Sequence, residues 1–228
     1  MAKVKFSALI SEMRNKLNGS VFSKNRAGNY LRNKVTPVNP QTTYQTAVRA
    51  VLTAASQAWR ALTEAQRLAW NTAVSNFTGT DIFGDVKTPS GINLQNKLYI
   101  NATTIGGTPL TTPPSPGVSV DVPDFAVNID GGIQAYNISS NLATVPAGEK
   151  WVIKSTENVS PGINFFKNKY RIIAVLNGGT ALPYAAIADY TAKFGPVITN
   201  QKIATEIVAI STTTFIQGPA ARATNVVS

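Results

Sequence analysis

The chain contains neither cysteine nor histidine. Without these side chains the usual zinc, haem, iron–sulfur and blue-copper ligand sets cannot be assembled, so a metal site would need oxygen ligands alone. Thiol nucleophiles, histidine general bases and disulfide bonds are excluded for the same reason. We therefore expect no cofactor and no metal, and a fold that is held together by packing.

Charged residues and long apolar runs are also scarce. Only 14% of the 228 residues are charged, against about 25% in ordinary globular proteins. No window approaches the run of about 18 apolar residues that a membrane span needs. The opening stretch MAKVKFSALISEMRNKLNG has charges on both sides of a very short apolar run, which is not the pattern of a signal peptide. We expect a protein that has no membrane contact.

The positive charge is concentrated at the start of the chain. Residues 1–36 hold eight Lys and Arg residues against the single Glu12, which is a net +7, whereas the rest of the chain holds 13 cations and 10 anions. Within this segment the candidate contact residues for a partner or a nucleic acid are Lys16, Lys24, Arg26, Tyr30, Arg32 and Lys34.

Three interpretations of this basic segment stay open. Its cations could follow a phosphate backbone while an aromatic ring stacks on bases. It could instead dock on an acidic protein surface, or it could remain a solvated leader. Of these, docking to a protein is favoured.

Residues 1–38 are predicted to form a basic arm that contains a β-hairpin. Two short extended runs lie between Val21 and Val38, and Ala27-Gly28-Asn29 between them is typical of a turn. Because the hydrophobic face of this hairpin is weak, it could not hold together alone. We expect it to need a partner surface.

Residues 39–104 are predicted to form a helical module. Asn39-Pro40 has the pattern of a helix start, and apolar residues then recur at spacings of three and four to about Leu62. The sequence Thr63-Glu64-Ala65-Gln66 is a capping box that opens a second helix, to about Phe77. The short connection predicts an αα-hairpin with Trp59 and Trp70 near its seam. A third helix is predicted to begin at Pro89 or Ser90 and to end near Asn101.

Residues 105–123 are predicted to be a linker, since the stretch GGTPLTTPPSPGVSVDVP contains five prolines and three glycines. Beyond it, short runs rich in Val, Ile and aromatics are separated by Gly, Pro, Asn and Asp. This texture predicts that residues 124–228 form an antiparallel immunoglobulin- or fibronectin-like β-sandwich. Its predicted strands are Phe125–Ile129, Gly132–Ile138, Lys150–Thr156, Tyr170–Leu176 and Ile203–Ser211, and Tyr190 is a candidate corner tyrosine. The predicted fold class is thus α+β in two modules.

Motifs for catalysis are missing from the sequence. It has no G-x-S-x-G elbow, no phosphate-binding loop and no dinucleotide fingerprint. An acidic pair drawn from Asp121, Asp124 and Asp130 is not distinguishable from a polar strand edge. The sequence therefore predicts that the protein is not an enzyme and has no catalytic residues.

The block from Gly19 to Asn71 resembles the amino-terminal portion of proteins found in tailed bacteriophages and prophages. That family shares a vFsrNrxGxYxRxkvxPvNPqT block, followed by an arginine and then by LsxaWrxLtxaqRxaWn. The residues here that fit the pattern are Gly28, Tyr30, Arg32, Pro37, Asn39, Pro40, Arg49, Trp59, Leu62, Arg67 and Trp70. The later stretches VPAGEKWVIKSTENVSPG and YTAKFG resemble the fibronectin-type or immunoglobulin-like sandwiches appended in such proteins.

This resemblance implies a virion structural protein that is made in the host cytoplasm and located in the particle. Its partners would be other virion proteins of the capsid, neck or tail, in an oligomer or a symmetric array. An internal, nucleic-acid-binding virion protein is the alternative, with DNA as a partner of the basic arm. A carbohydrate-binding receptor module, using aromatics such as Trp151 and Tyr136, is a third possibility.

Overall fold

The computed structural model describes residues 2–5, 10, 12–25, 28–80, 85–117 and 120–228. In this part of the chain the protein is mixed α+β, with four α-helices and several antiparallel sheets. The chain forms two compact units, Met1–Thr46 and Ala47–Ser228. None of the described helices combines the length and apolar character that crossing a membrane requires.

The first unit is a four-stranded antiparallel sheet. Its strands are β1 (Ala2–Lys3), β2 (Asn15–Leu17), β3 (Ser20–Asn25) and β4 (Gly28–Asn33), in the spatial order β1-β4-β3-β2. The predicted hairpin is confirmed as β3 and β4, although Gly28 and Asn29 belong to β4 and residues 26–27 lie outside the described part. The sequence does not predict β1 and β2, because two or three residues are too few to show a period.

Helix α1 (Thr43–Ala61) begins three residues later than predicted. The backbone N–H of Gln45 donates to Thr42 Oγ1 at 3.3 Å, and the Thr42 N–H donates to Gln45 Oε1 at 3.3 Å. Asn39 Oδ1 instead accepts from the Gln41 N–H at 3.3 Å, which forms a turn. The two reciprocal hydrogen bonds between Thr42 and Gln45 satisfy two backbone donors. Thr42 is therefore the cap of α1 in place of Asn39.

The next two helices begin where the sequence predicts. Helix α2 (Glu64–Ala73) has the predicted capping box of Thr63 and Gln66, and a 3₁₀ turn at Val74–Phe77 completes its predicted extent. A short ladder of β5 (Gly79–Thr80) and β6 (Val86–Lys87) follows. Helix α3 (Gly91–Thr104) is capped by Ser90, whose Oγ accepts from the Asn93 N–H at 3.4 Å.

The predicted αα-hairpin of α1 and α2 is wrong. Helix α2 packs along α3, whereas α1 and α2 meet only around their connection. The packing of α2 on α3 is close enough that Gly91 faces Asn71 with no room for a side chain. Trp70 is buried between these elements, as the sequence predicts for a core tryptophan, whereas Trp59 is half-buried.

Two further antiparallel sheets follow. Their strands are β7 (Ala126–Asp130), β8 (Ala135–Ser139), β9 (Glu149–Ser155), β10 (Arg171–Leu176), β11 (Tyr184–Ala185), β12 (Lys202–Ser211) and β13 (Gln217–Val226). One sheet has the order β10-β9-β12-β13 and the other has the order β11-β8-β7. The five predicted strands are confirmed as β7, β8, β9, β10 and β12. The sequence does not predict β13, which is rich in Ala, Gly and Pro and acquires its extended form by pairing with β12.

The four-stranded sheet β10-β9-β12-β13 is covered on both faces. On one face Ile203 and Ile207 of β12 join a first core with β7 and β8. On the other face Val208 and Ile210 join a second core with helices α2 and α3. The second core consists of Leu62, Trp70, Leu94, Leu98, Ala102, Ile105, Val152, Val208, Ile210 and Phe215.

The predicted boundary at residues 105–123 therefore does not separate two cores. Thr111 accepts a hydrogen bond from Trp70 Nε1 at 3.1 Å, and Ile105 accepts one from Lys150 Nζ at 2.8 Å. Val120 is buried in the first core. The described part of this segment therefore packs against the second unit instead of bridging two modules.

Tyr190 is not a corner tyrosine. It lies in helix α4 (Ile187–Phe194), which the sequence does not predict. Its hydroxyl is buried without a hydrogen-bond partner in the described part of the chain, and burial raises its pKa. Its ring packs edge-on against Tyr136, with centroids 5.3 Å apart. Instead, the Tyr136 hydroxyl of β8 links this strand to the other sheet. It forms hydrogen bonds with Ser155 of β9 at 3.1 Å and with Thr205 of β12.

Candidate functional site

The sheet of the first unit has two chemically different faces. Residues paired directly across antiparallel strands point to the same face, and successive residues along one strand point to opposite faces. Val21 of β3 is paired with Lys16 of β2 and with Arg32 of β4. Tyr30 of β4 is paired with Ser23 of β3 and with Lys3 of β1. Lys3, Lys16, Tyr30 and Arg32 thus share one face, which we call the cationic face.

The opposite face carries apolar side chains. Phe22 of β3 pairs with Leu31 of β4, and Leu17 of β2 pairs with Ser20 on the same face. Leu17 is 60% exposed. We call Leu17, Phe22 and Leu31 the apolar face.

The structure brings only three of the six predicted contact residues together on one face. Lys16, Tyr30 and Arg32 lie together on the cationic face. Lys24 is two residues from Phe22 in β3 and so lies on the apolar side. Lys34 follows the end of β4, where its backbone N–H donates to the Gly19 carbonyl at 2.8 Å. Arg26 lies outside the described residues.

Lys3 belongs to the cationic face, although the sequence does not single it out. It reaches Tyr30 only because β1 pairs with β4, across a separation of more than twenty residues. The sequence around each of these two strands does not indicate that they pair. A net-charge count over the whole segment is the only sequence signal that includes it.

The single acidic side chain of the first unit is Glu12. Its Oε1 lies 2.6 Å from Arg14 Nε and 4.0 Å from Lys24 Nζ. Lys3, Lys16 and Arg32 are exposed, and among the described residues they form no ion pair. The positive potential of the cationic face is therefore not neutralised within the described part of this unit.

The first unit has little internal packing. Every described side chain from Lys3 to Thr46 is exposed or half-exposed. The first turns of α1 continue this property, since Val48 and Leu52 are about half exposed. Apolar groups that remain in water are a typical feature of surfaces that associate with a partner.

The second unit contains a groove of about 470 Å³ bordered by the β5–β6 ladder, α3 and the start of β13. Its lining includes Lys87, Lys97 and Phe77 together with amide and hydroxyl side chains. No described lining residue is acidic, so the groove offers contacts to a ligand but no carboxylate for acid–base chemistry. Across the described residues no cluster of three or more acidic side chains could hold a metal ion.

The three aspartates of the possible acidic pair bond to local partners instead. Asp121 Oδ1 accepts from the Val122 N–H at 2.7 Å, and Asp124 Oδ2 accepts from Asn141 Nδ2 at 2.7 Å. Asp130 Oδ1 accepts from the Gly132 N–H at 2.8 Å. Each carboxylate therefore stabilises a turn or a loop contact.

The aromatics that were candidates for sugar binding are core residues. Trp151 and Tyr136 are each 0% exposed, and both belong to the first core. A ring stacks on a sugar only if one of its faces reaches solvent, so these two side chains do not form a carbohydrate site.

Comparison of the chain with protein-family models, with curated proteins and with solved structures returned no match.

Proposed function

We propose that this chain is a non-enzymatic structural protein of a bacteriophage virion. Residues 1–46 attach it to other virion proteins, and the unit Ala47–Ser228 is the body that is displayed. The resemblance of the block from Gly19 to Asn71 to tailed-phage proteins supports the biological setting. The physical support comes from the first unit.

The observation that carries the proposal is a separately compact sheet in which none of the described side chains is buried. A small sheet needs a buried hydrophobic face to be stable in water. The apolar face of Leu17, Phe22 and Leu31 supplies such a surface if a neighbouring protein covers it. Assembly would then stabilise the sheet, and a symmetric particle repeats that contact many times.

We also propose that the two later sheets form a fibronectin-type sandwich. In chain order, the first, second and fifth of the seven strands make one sheet, and the other four make the second. We take this division, with three strands in one sheet and four in the other, to favour a fibronectin-type sandwich over an immunoglobulin-type one. The buried Trp151 lies in the third strand, β9, where immunoglobulin-like domains also place a core tryptophan.

Quantitative mass spectrometry of purified virions tests the proposed function. We expect the protein to be present, with a copy number on the order of hundreds for a capsid protein or about six to twelve for a neck or tail ring. Deleting residues 1–46 should abolish its incorporation. The matched control is a variant with Lys167→Gln and Lys193→Gln in the second unit, which should be incorporated normally.

Two results would overturn the proposal. One is the absence of the full-length protein from particles. The other is undiminished incorporation of the variant without residues 1–46, provided that circular dichroism shows the remaining unit to be folded.

A further inference from the structure

We propose that the cationic face of the first unit binds single-stranded nucleic acid, with Lys3, Lys16 and Arg32 on the phosphates and Tyr30 stacked on a base. This inference goes beyond the virion role and does not require it. It depends on the register of β1 to β4, on the charges of that face and on the exposure of its side chains.

The register arranges the three cations around the aromatic ring. Lys3 lies directly beside Tyr30 in the adjacent strand. Arg32 is two residues from Tyr30 along β4, and Lys16 lies two strands from Arg32, across Val21. With neighbouring strands about 4.8 Å apart, the cations span roughly 15 Å of the sheet. A strand of nucleic acid laid across the sheet presents several phosphates over that length.

The charge of this face favours a polyanion. Lys3, Lys16 and Arg32 are exposed, and the one carboxylate of the unit is engaged by Arg14 at 2.6 Å and faces Lys24 at 4.0 Å. Neutralising phosphates with such cations releases condensed counterions, which drives binding without sequence preference.

The chemistry of the face favours nucleic acid over an acidic protein. The buried centres of protein interfaces are apolar and depleted in charge, whereas the apolar groups of this sheet lie mostly on the opposite face. Tyr30 is partly exposed among the cations. Bases stack on such a ring in single-strand-binding proteins, and cations beside it hold the backbone.

The test is fluorescence anisotropy of the purified full-length protein with a labelled oligothymidylate, measured from low to physiological salt. For three phosphates we expect log Kobs to fall with log salt at a slope of about −2. The triple variant Lys3→Gln, Lys16→Gln, Arg32→Gln should lose at least tenfold in affinity, and most of the slope. The matched control removes three exposed cations of the second unit that lie outside the groove, with Arg60→Gln, Lys167→Gln and Lys193→Gln, and should bind as the wild type does.

Substitution of Tyr30 tests the stacking step. Tyr30→Ala should weaken binding on the order of tenfold, whereas Tyr30→Phe, which keeps the ring, should not. Equal binding by the wild type and the triple variant would overturn the proposal. So would equal loss in both triple variants, because the effect would then be one of net charge. Competition by polyglutamate as strong as that by oligothymidylate would assign the face to an acidic protein instead. None of these results depends on whether the protein is found in virions.

Discussion

Glu206 lies in β12 with only 7% of its surface exposed. Its two carboxylate oxygens accept from Lys154 Nζ at 2.8 Å and from Arg222 Nε at 2.7 Å. Burial alone would raise the pKa of Glu206, but the hydrogen bonds and charges of these two cations outweigh it and hold the pKa below its ordinary value of 4.5. The stability that this cluster contributes is complete above about pH 4.5 and is lost as the pH falls through the lower folded-state pKa.

We expect Glu206→Gln to lower the free energy of unfolding by about 1–2 kcal/mol at pH 7, because two cations lose their carboxylate. Near pH 3 the difference should shrink, since the wild-type carboxyl is then increasingly protonated. Urea unfolding at both pH values measures this. Glu157→Gln, at an exposed position, is the control and should change little. A difference of the same size at pH 7 and pH 3 would contradict the assignment.

Individual residues were predictable from sequence where the signal is local. The capping box of Thr63 and Gln66 needs only four consecutive residues, and it is present as predicted. The sequence does not show that the Tyr136 hydroxyl makes buried hydrogen bonds, because its partners Ser155 and Thr205 are distant in sequence. Nor does it show that the Tyr190 hydroxyl has no partner among the described residues. Lys3 was not predicted to belong to the cationic face for the same reason, since its neighbour Tyr30 is distant in sequence.

Strand β13 is held at its start by a close backbone contact. A Cβ atom added at Gly218 would lie 1.8 Å from the carbonyl oxygen of Val120. That oxygen belongs to the backbone, which cannot move aside as a side chain can. Glycine at position 218 therefore fixes how closely the proline-rich segment lies against the sheet.

We expect Gly218→Ala to destabilise the protein by about 1–3 kcal/mol through overpacking. The control is Gly162→Ala, where the added Cβ would contact nothing within 4 Å and the effect should be small. Thermal unfolding followed by circular dichroism compares the two. Equal melting temperatures would show that residues near Val120 do not pack on β13 in solution.

Helices and strands were predicted most accurately where they are long and where a capping residue marks their start. Helices α2 and α3 carry cap residues immediately before a periodic apolar face, so their starts were predicted correctly. Strands β1 and β11 have two residues each and exist only by pairing. The start of α1 was misplaced because Asn39-Pro40 and Thr42 both have cap chemistry, and only the second also has a Gln three residues later.

At the scale of the molecule, helices α2 and α3 pack on one face of the sheet β10-β9-β12-β13, and strands β7 and β8 pack on its other face. Val152, Val208, Ile210 and Phe215 are covered by the second core, which residues from α2 and α3 complete. Composition suggested a boundary at residues 105–123, because prolines and glycines are common in linkers. Composition carries no information about tertiary contacts. The sequence therefore could not show that this segment packs against the cores instead of linking two modules.

We expect a fragment of residues 47–228 to fold and a fragment of residues 124–228 not to fold. The longer fragment keeps both cores. The shorter one uncovers four large apolar side chains, at a cost on the order of 5 kcal/mol or more, which approaches the whole stability of a typical domain. Circular dichroism melting and binding of a hydrophobic dye measure the difference. A cooperatively melting fragment of residues 124–228 would contradict the shared-core arrangement.

Nine of the ten residues of β12 are buried, and the strand lies between β9 and β13 with a core on each face. Its amides can meet solvent only when both cores open together. In deuterated water the backbone hydrogens of β12 should therefore exchange last, at the rate set by global unfolding, whereas those in the outer turns of α1 exchange through local opening.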